Sequence, residues 1–212
     1  MSNLIDSVKK LRKTETKKTV DKKLRIFTDF NPKNNQEWFG EVCFCILTAN
    51  SKAKTAIAIQ KEVTASGFCT MCLEDIRGAI KRNKHRFHNN KARFIVEARK
   101  HMNIKDVIKP IAEKEGQLAA REWLVKNIKG LGYKESSHFL RNIGYFDLAV
   151  LDRHILNLMK EDGIIKEKPK SLTKKKYLEI EEKFRQLASK LGMSCAELDL
   201  YMWYMKTGIV LK

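Results

Sequence analysis

Proline and glycine are scarce, at 3 and 10 of 212 residues, which argues against collagen-like repeats, long linkers and a turn-rich β sandwich. Long apolar runs are missing as well. The longest strongly apolar stretch, Val42 to Leu47, falls far short of the roughly 20 residues a membrane span needs. The N-terminal residues are basic but lead into no apolar segment with a small-residue cleavage site, so no secretory signal is expected. Five cysteines is an odd number, better suited to reduced thiols in a cytosol-like compartment than to a disulfide framework. Acidic residues are outnumbered, 25 against 43 Lys and Arg, for a formal charge of +18. Even so, 43% of the chain is hydrophobic, which excludes a disordered tail protein. The composition describes a soluble intracellular chain with a proper core and an anionic partner.

The positive charge is clustered. Lys9 to Arg25 holds nine Lys or Arg against Glu15 and Asp21, and Arg77 to His101 holds nine against Glu97 alone. Lys166 to Lys176 adds six lysines against Glu167. Such a field attracts polyphosphate and gives salt-sensitive affinity by counterion release. A solvated Lys-rich surface of the kind common in thermophiles is the competing reading.

Apolar residues recur at helical spacing nearly throughout. Tyr177, Ile180, Phe184, Leu187 and Leu191 advance by threes and fours, as do Leu198, Tyr201, Met202 and Met205. Phe94, Ile95, Ala98 and Met102 form a third stripe, and Ala120, Trp123, Leu124 and Ile128 a fourth. Glu37 to Ala49 is apolar nearly all round, as expected of a central buried helix. Gly67, Gly116, Gly130, Gly163 and Gly192 each close or separate a periodic stretch. No run alternates with period two, and there is neither a repeat nor a linker. The fold expected is all-α with about ten helices.

Three elements go beyond packing. In Ile128-Lys129-Gly130-Leu131-Gly132-Tyr133-Lys134 an apolar helix ends, a G-x-G turn follows, and a new helix opens by about Lys134. Two glycines let the backbone turn tightly and present amides beside a helix N-terminus, a ready phosphate site. An ordinary αα-corner is the plainer alternative. Lys134, at the mouth of that turn, is either one more phosphate contact or a nucleophile, if its surroundings favour the free amine. Asp152, in Leu151-Asp152-Arg153-His154-Ile155, reads as an N-cap. A capping carboxylate stays ionised and positioned, so it can also stabilise developing positive charge.

Together these residues resemble the helix–hairpin–helix superfamily of DNA base-excision glycosylases, whose bifunctional members carry G-x-G-x-Lys followed 18 residues later by Asp. The chain is most similar to the second class of 8-oxoguanine DNA glycosylase/lyase, found in archaea and some bacteria. The likeness runs through Glu37-Trp38-Phe39, Cys45-Ile46-Leu47-Thr48-Ala49-Asn50, His85-Arg86-Phe87, the hairpin, the Asp152 segment and Glu197-Leu198-Asp199-Leu200-Tyr201 with Trp203, to a C-terminal lysine, Lys212. It covers most of the chain beyond about Lys33.

That resemblance implies one glycosylase unit over residues 1–212 with its hairpin at about 128–142. The N- and C-terminal helices would form one subdomain and the middle helices another, with the active site in the cleft between them. It implies that 8-oxoguanine is flipped out of double-stranded DNA and excised through a Lys134 Schiff base, and that β-elimination then nicks the strand on the 3′ side. Asp152 would assist and stabilise the cationic sugar, while Gly130 and Gly132 would hold a phosphate through neighbouring amides. Asn50 would plug the gap left by the flipped base, although an Asn there also suits a cap on the helix beginning near Ser51. Trp203, Phe87 and Lys212 would serve lesion recognition. For Trp203 core packing competes, and for Phe87 packing or DNA contact is favoured over a base platform.

No cofactor is expected. With only Cys195 near the C-terminus, the familiar iron–sulfur cluster has no ligand set. Cys69 and Cys72 have the spacing of half a zinc site, but Cys43 and Cys45 as the other half would point to different sides of an apolar helix. His85 and His88 suit DNA contact or surface better than metal; His154 either supports the site near Asp152 or, as is commoner for such histidines, packs or caps. The chain is expected to be monomeric and cytoplasmic, associated with the nucleoid when bound to DNA. A non-enzymatic helix–hairpin–helix DNA-binding protein, or a glycosylase/lyase for another oxidised base, is the alternative function.

Overall fold

The computed structural model describes residues 3–211. Among the described residues there are twelve α-helices, one 3-10 turn and no strand, against about ten helices expected from periodicity. In chain order they are α1 (Asn3–Leu11), α2 (Thr16–Phe30), α3 (Asn35–Thr48), α4 (Ala53–Thr70), α5 (Leu73–Arg82) and α6 (His88–Ala98). The 3-10 turn Arg99–His101 leads to α7 (Ile104–Lys114) and α8 (Gln117–Asn127). Then come α9 (Tyr133–Asn142), α10 (Arg153–Glu161), α11 (Lys174–Lys190) and α12 (Cys195–Thr207). No helix among the described residues is long and apolar enough to cross a membrane.

The chain divides into two compact units, Pro32–Phe139 and the described residues of Met1–Asn31 with Leu140–Lys212; the division falls within α9. In the first unit α3 is the hub, packing on α4, α6 and α7. Asn34 starts it by accepting from the Glu37 amide at 3.0 Å, and every residue from Trp38 to Thr48 is buried. A helix apolar on all sides can only be stable when neighbours cover all sides. Gly40 sets the distance to α4, because a Cβ there would come within 2.9 Å of Ala65 Cβ. The buried Glu41 is met by the amide of Gln60 at 3.3 Å.

In the second unit α12 is the hub, with α1, α2, α10 and α11 against it. Ser194 caps it at the Glu197 amide, 3.1 Å away. One turn on, Asp199 forms a buried ion pair with Arg141, whose guanidinium also lies over the Phe27 ring. This pairing explains the acid in the otherwise apolar Leu198–Tyr201 stretch.

Four of the five glycines read as helix stops have positive φ: Gly116, Gly130, Gly163 and Gly192. Gly67 does not stop its helix; it lies inside α4, which is instead kinked at Thr64 (φ 64°, ψ 170°).

Candidate active site

The hairpin forms because α8 ends at Asn127 and the chain cannot continue past Gly130, whose φ is +93°. A side chain there is doubly excluded, since its Cβ would also sit 2.7 Å from the Phe94 ring. Ile128 and Leu131 are buried beneath the turn, and the Leu131 amide closes it onto the Ile128 carbonyl at 3.2 Å. Gly132 precedes α9, and its own N–H donates to Glu135 Oε2 at 3.2 Å. Glu135 thus supplies the carboxylate half of a capping box, the bond back to the amide before the helix. The backbone amides of a helix's first turn point along its axis away from the helix, so the start of α9 at Tyr133 and Lys134 is a place suited to an anion.

Lys134 sits in that first turn with its side chain 24% exposed, its Nζ 3.5 Å from Glu135 Oε1. One carboxylate therefore serves the hairpin backbone and the candidate nucleophile together. Below them α9 is anchored by Arg121 donating to Ser137 Oγ at 3.1 Å, and by the Tyr133 hydroxyl donating to Glu122 Oε1 at 2.7 Å. A second amine belongs to this neighbourhood. Lys91 on α6 is buried, and burial brings its pKa down to about 8, with Glu135 opposing the shift and Lys134 adding to it.

Asn50 follows α3 in the left-handed region (φ 58°) and is exposed; Asn tolerates that conformation better than most side chains. It does not cap α4, whose N-cap is Lys52. The last turn of α3, just before Asn50, is tied to the segment that carries Phe87. Buried His85 meets the Leu47 carbonyl through Nε2 at 2.9 Å, while its Nδ1 accepts from the Phe87 amide at 3.2 Å. Those two bonds fix the neutral Nε2–H tautomer, and burial lowers the His85 pKa accordingly. Phe87 is half-buried, with the Arg86 guanidinium stacked over its ring.

Asp152 is the N-cap of α10. Its Oδ1 accepts from the His154 and Ile155 amides, both at 2.8 Å, and among the described residues nothing donates to Oδ2. The approach to Asp152 is held rigidly: Leu148–Leu151 is buried, Tyr177 donates to the Ala149 carbonyl at 2.7 Å, and Glu181 accepts from the Ala149 amide at 3.0 Å. The His154 ring stands edge-on to Trp203, centroids 5.1 Å apart, which joins the Asp152 cap to α12. Trp203 is half-buried rather than sealed in the core. Lys212 lies outside the described residues.

A profile of the 8-oxoguanine DNA glycosylase family matches residues 20–193. The chain belongs to that family. Among its glycosylases, the 8-oxoguanine DNA glycosylase/AP lyase of Methanocaldococcus jannaschii is 48% identical over 209 residues, covering 99% of each chain. That of Korarchaeum cryptofilum is 39% identical over 213 residues, covering 100% of this chain and 99% of its own. The crystal structure of the M. jannaschii glycosylase/lyase with a 15mer DNA containing 8-oxoguanine superposes with a TM-score of 0.94, at 47% identity and 99% coverage of both chains. The Thermotoga maritima glycosylase superposes at 0.91, with 40% identity and coverage of 99% and 98%. An endonuclease III–DNA complex shares the fold alone, at a TM-score of 0.54 and 17% identity over 90% of this chain and 84% of that one.

Two groups escaped the sequence reading. Glu135 was legible as the fourth residue of a Gly-x-x-Glu capping box, and Lys91 as a lysine three residues before Phe94 on the apolar stripe of α6. None of the five cysteines is in a disulfide. Cys43 and Cys195 are buried, which pushes their thiols up, Cys195 to about 12. Among the described residues no three His, Cys, Asp or Glu side chains converge as a metal site.

Proposed function

We propose that this glycosylase removes 8-oxoguanine from double-stranded DNA and cuts the strand, with Lys134 as nucleophile. The observation that carries the reading is the placement of Lys134: a partly exposed amine in the first turn of α9, beside amides suited to a phosphate. The deprotonated amine attacks C1′ of the flipped nucleotide. An N–C1′ bond forms as the glycosidic bond breaks, and the base leaves with the electron pair and takes up a proton. Ring opening yields the Schiff base, and loss of a C2′ proton expels the 3′ phosphate. Asp152, whose Oδ2 takes no hydrogen bond among the described residues, stabilises the cationic sugar. The first-turn amides hold a phosphate next to the hairpin. Asn50 fills the gap in the duplex, Phe87 contacts DNA near it, and Trp203 and Lys212 read the lesion. A lysine Schiff-base route needs neither metal nor cluster. Cysteines outside disulfides suit action in the reducing cytoplasm, and the chain works as a monomer on nucleoid DNA.

Borohydride trapping on a duplex with one 8-oxoguanine tests this. A covalent adduct with the damaged strand is expected, absent from undamaged DNA and from Lys134→Gln, while the variant still binds duplex. A fully active Lys134→Gln, or salt-sensitive binding to every duplex with no adduct, would overturn it.

A further inference from the structure

The end of α3 leaves a polar group to be met. The last carbonyls of a helix have no helical partner, and the Ser51 amide closes onto Thr48 rather than Leu47, at 3.1 Å. Ala49 (φ −62°, ψ 118°) followed by Asn50 (φ 58°) has the shape of a type II turn, which needs positive φ at its third position. Asn50 is thus carried on a short closed turn, braced by the Thr48 hydroxyl donating to the Cys45 carbonyl at 2.8 Å. The carbonyl of buried Leu47 lies just before that turn.

The start of α6 has the opposite need. Phe87 is its N-cap, and a backbone N–H at that position has no acceptor within the helix. His85 answers both ends. Its own amide is fixed on the Ile80 carbonyl of α5 at 3.2 Å, and the residue is only 3% exposed. From there Nε2 donates to the Leu47 carbonyl at 2.9 Å, and Nδ1 accepts from the Phe87 amide at 3.2 Å. One neutral imidazole bolts the end of α3 to the start of α6, inside a single compact unit. Two contacts held at a fixed spacing add most to binding when neither has to be ordered on meeting the partner.

We propose that His85 is a positioning residue for the DNA contacts: its ring holds the Asn50 turn and Phe87 at a fixed spacing, so that the two engage the duplex as one unit. The inference rests on the reading of Asn50 as the gap-filling residue and Phe87 as a DNA contact near it. His85 acts through two backbone groups and needs no contact with DNA.

A mutant cycle tests the inference. Single-turnover release of 8-oxoguanine is measured for Asn50→Ala, Phe87→Ala and the pair, each with His85 and with His85→Gln, below the melting temperature of every variant. With His85 in place, the pair is expected to lose less than the product of the two single losses, by about tenfold. His85→Gln keeps a donor for Leu47 but no acceptor for Phe87, and the two losses should then multiply to within about twofold. His85→Asn, which keeps the acceptor and loses the donor, should uncouple them as well. A side chain that only stabilises the fold lowers the melting temperature and leaves the coupling as it was. Losses that multiply with His85 present overturn the inference, as does a coupling that survives in either His85 variant. Should both His85 variants fail to fold, the cycle with His85 decides alone. If either single variant leaves base release unchanged, the reading of that residue as a DNA contact falls and the inference with it. Two single losses that multiply overturn the inference only.

Discussion

The Tyr177 hydroxyl holds the Ala149 carbonyl at 2.7 Å, three residues before the carboxylate of Asp152. The same oxygen accepts from the Leu151 amide at 3.4 Å, so one phenol fixes both sides of the extended segment that delivers Asp152 to the start of α10. Tyr177→Phe leaves a buried carbonyl unpaired, which costs about 1–3 kcal/mol. We expect the melting temperature to fall by about 2–10 °C, and base release to slow more than duplex affinity weakens. Thermal melts beside single-turnover assays check this; unchanged base release would show that the segment holds its place without the phenol.

Asp152 caps α10, and substitution can separate that cap from the charge proposed to serve the chemistry. Asp152→Asn retains an oxygen for the His154 and Ile155 amides, so stability should change little. Asp152→Ala loses the cap and about 1 kcal/mol. If the charge serves the chemistry, both variants lose base release to a similar extent while only the alanine variant melts early. An asparagine variant with full activity would reduce Asp152 to a cap.

His85 sets an acid limit on the local structure. Its pKa is lowered in the folded chain, so the unfolded chain binds more protons as the pH drops through the ordinary histidine value of about 6.5. The stabilisation is complete above that value and is lost as the pH falls toward the folded one. His85→Gln should therefore be less stable than wild type by about 1–3 kcal/mol at pH 7.5, with a smaller gap at pH 5. Urea unfolding at the two pH values measures both gaps, and a gap that widens in acid would contradict the neutral Nε2–H tautomer.

The burial of Lys91 carries a stability cost. Burial brings its pKa to about 8, below the ordinary lysine value of 10.5, so the charged form destabilises the fold. Wild-type stability is greatest above the unfolded value, declines as the pH falls from there to about 8, and is level below. Lys91→Met should be more stable than wild type at pH 7 by about 2–3 kcal/mol, the advantage shrinking toward pH 10. Urea midpoints at pH 7 and pH 10 test it. A methionine variant less stable than wild type at pH 7 would mean that the lysine is well solvated where it lies.

What could be read from the sequence was whatever a period or a short spacing carries. The full burial of α3 follows from an apolar run on all faces, and the Asp152 cap from a carboxylate before an apolar helix. Contacts between distant segments carry no such mark. The kink at Thr64 replaces the stop read at Gly67 because α4 packs on α3 at Ala65 and Gly40, a tertiary demand that overrides local propensity. The tie between Leu47 and His85 spans 38 positions, and the Arg141–Asp199 pair 58. Asn50 read equally well as a cap until the backbone placed the N-cap at Lys52.

The interleaving of the two units has a consequence for synthesis on the ribosome. Residues 32–139 are continuous in the chain and can pack as soon as they emerge. Helices α1 and α2 appear first but pack on α12, near the far end. Their apolar faces, Leu4 and Val8 on α1 with Val20 and Phe27 on α2, must stay open until nearly the whole chain has been made. The dense lysines of that segment keep those faces soluble during the wait, so the basic N-terminus guards the nascent chain against aggregation.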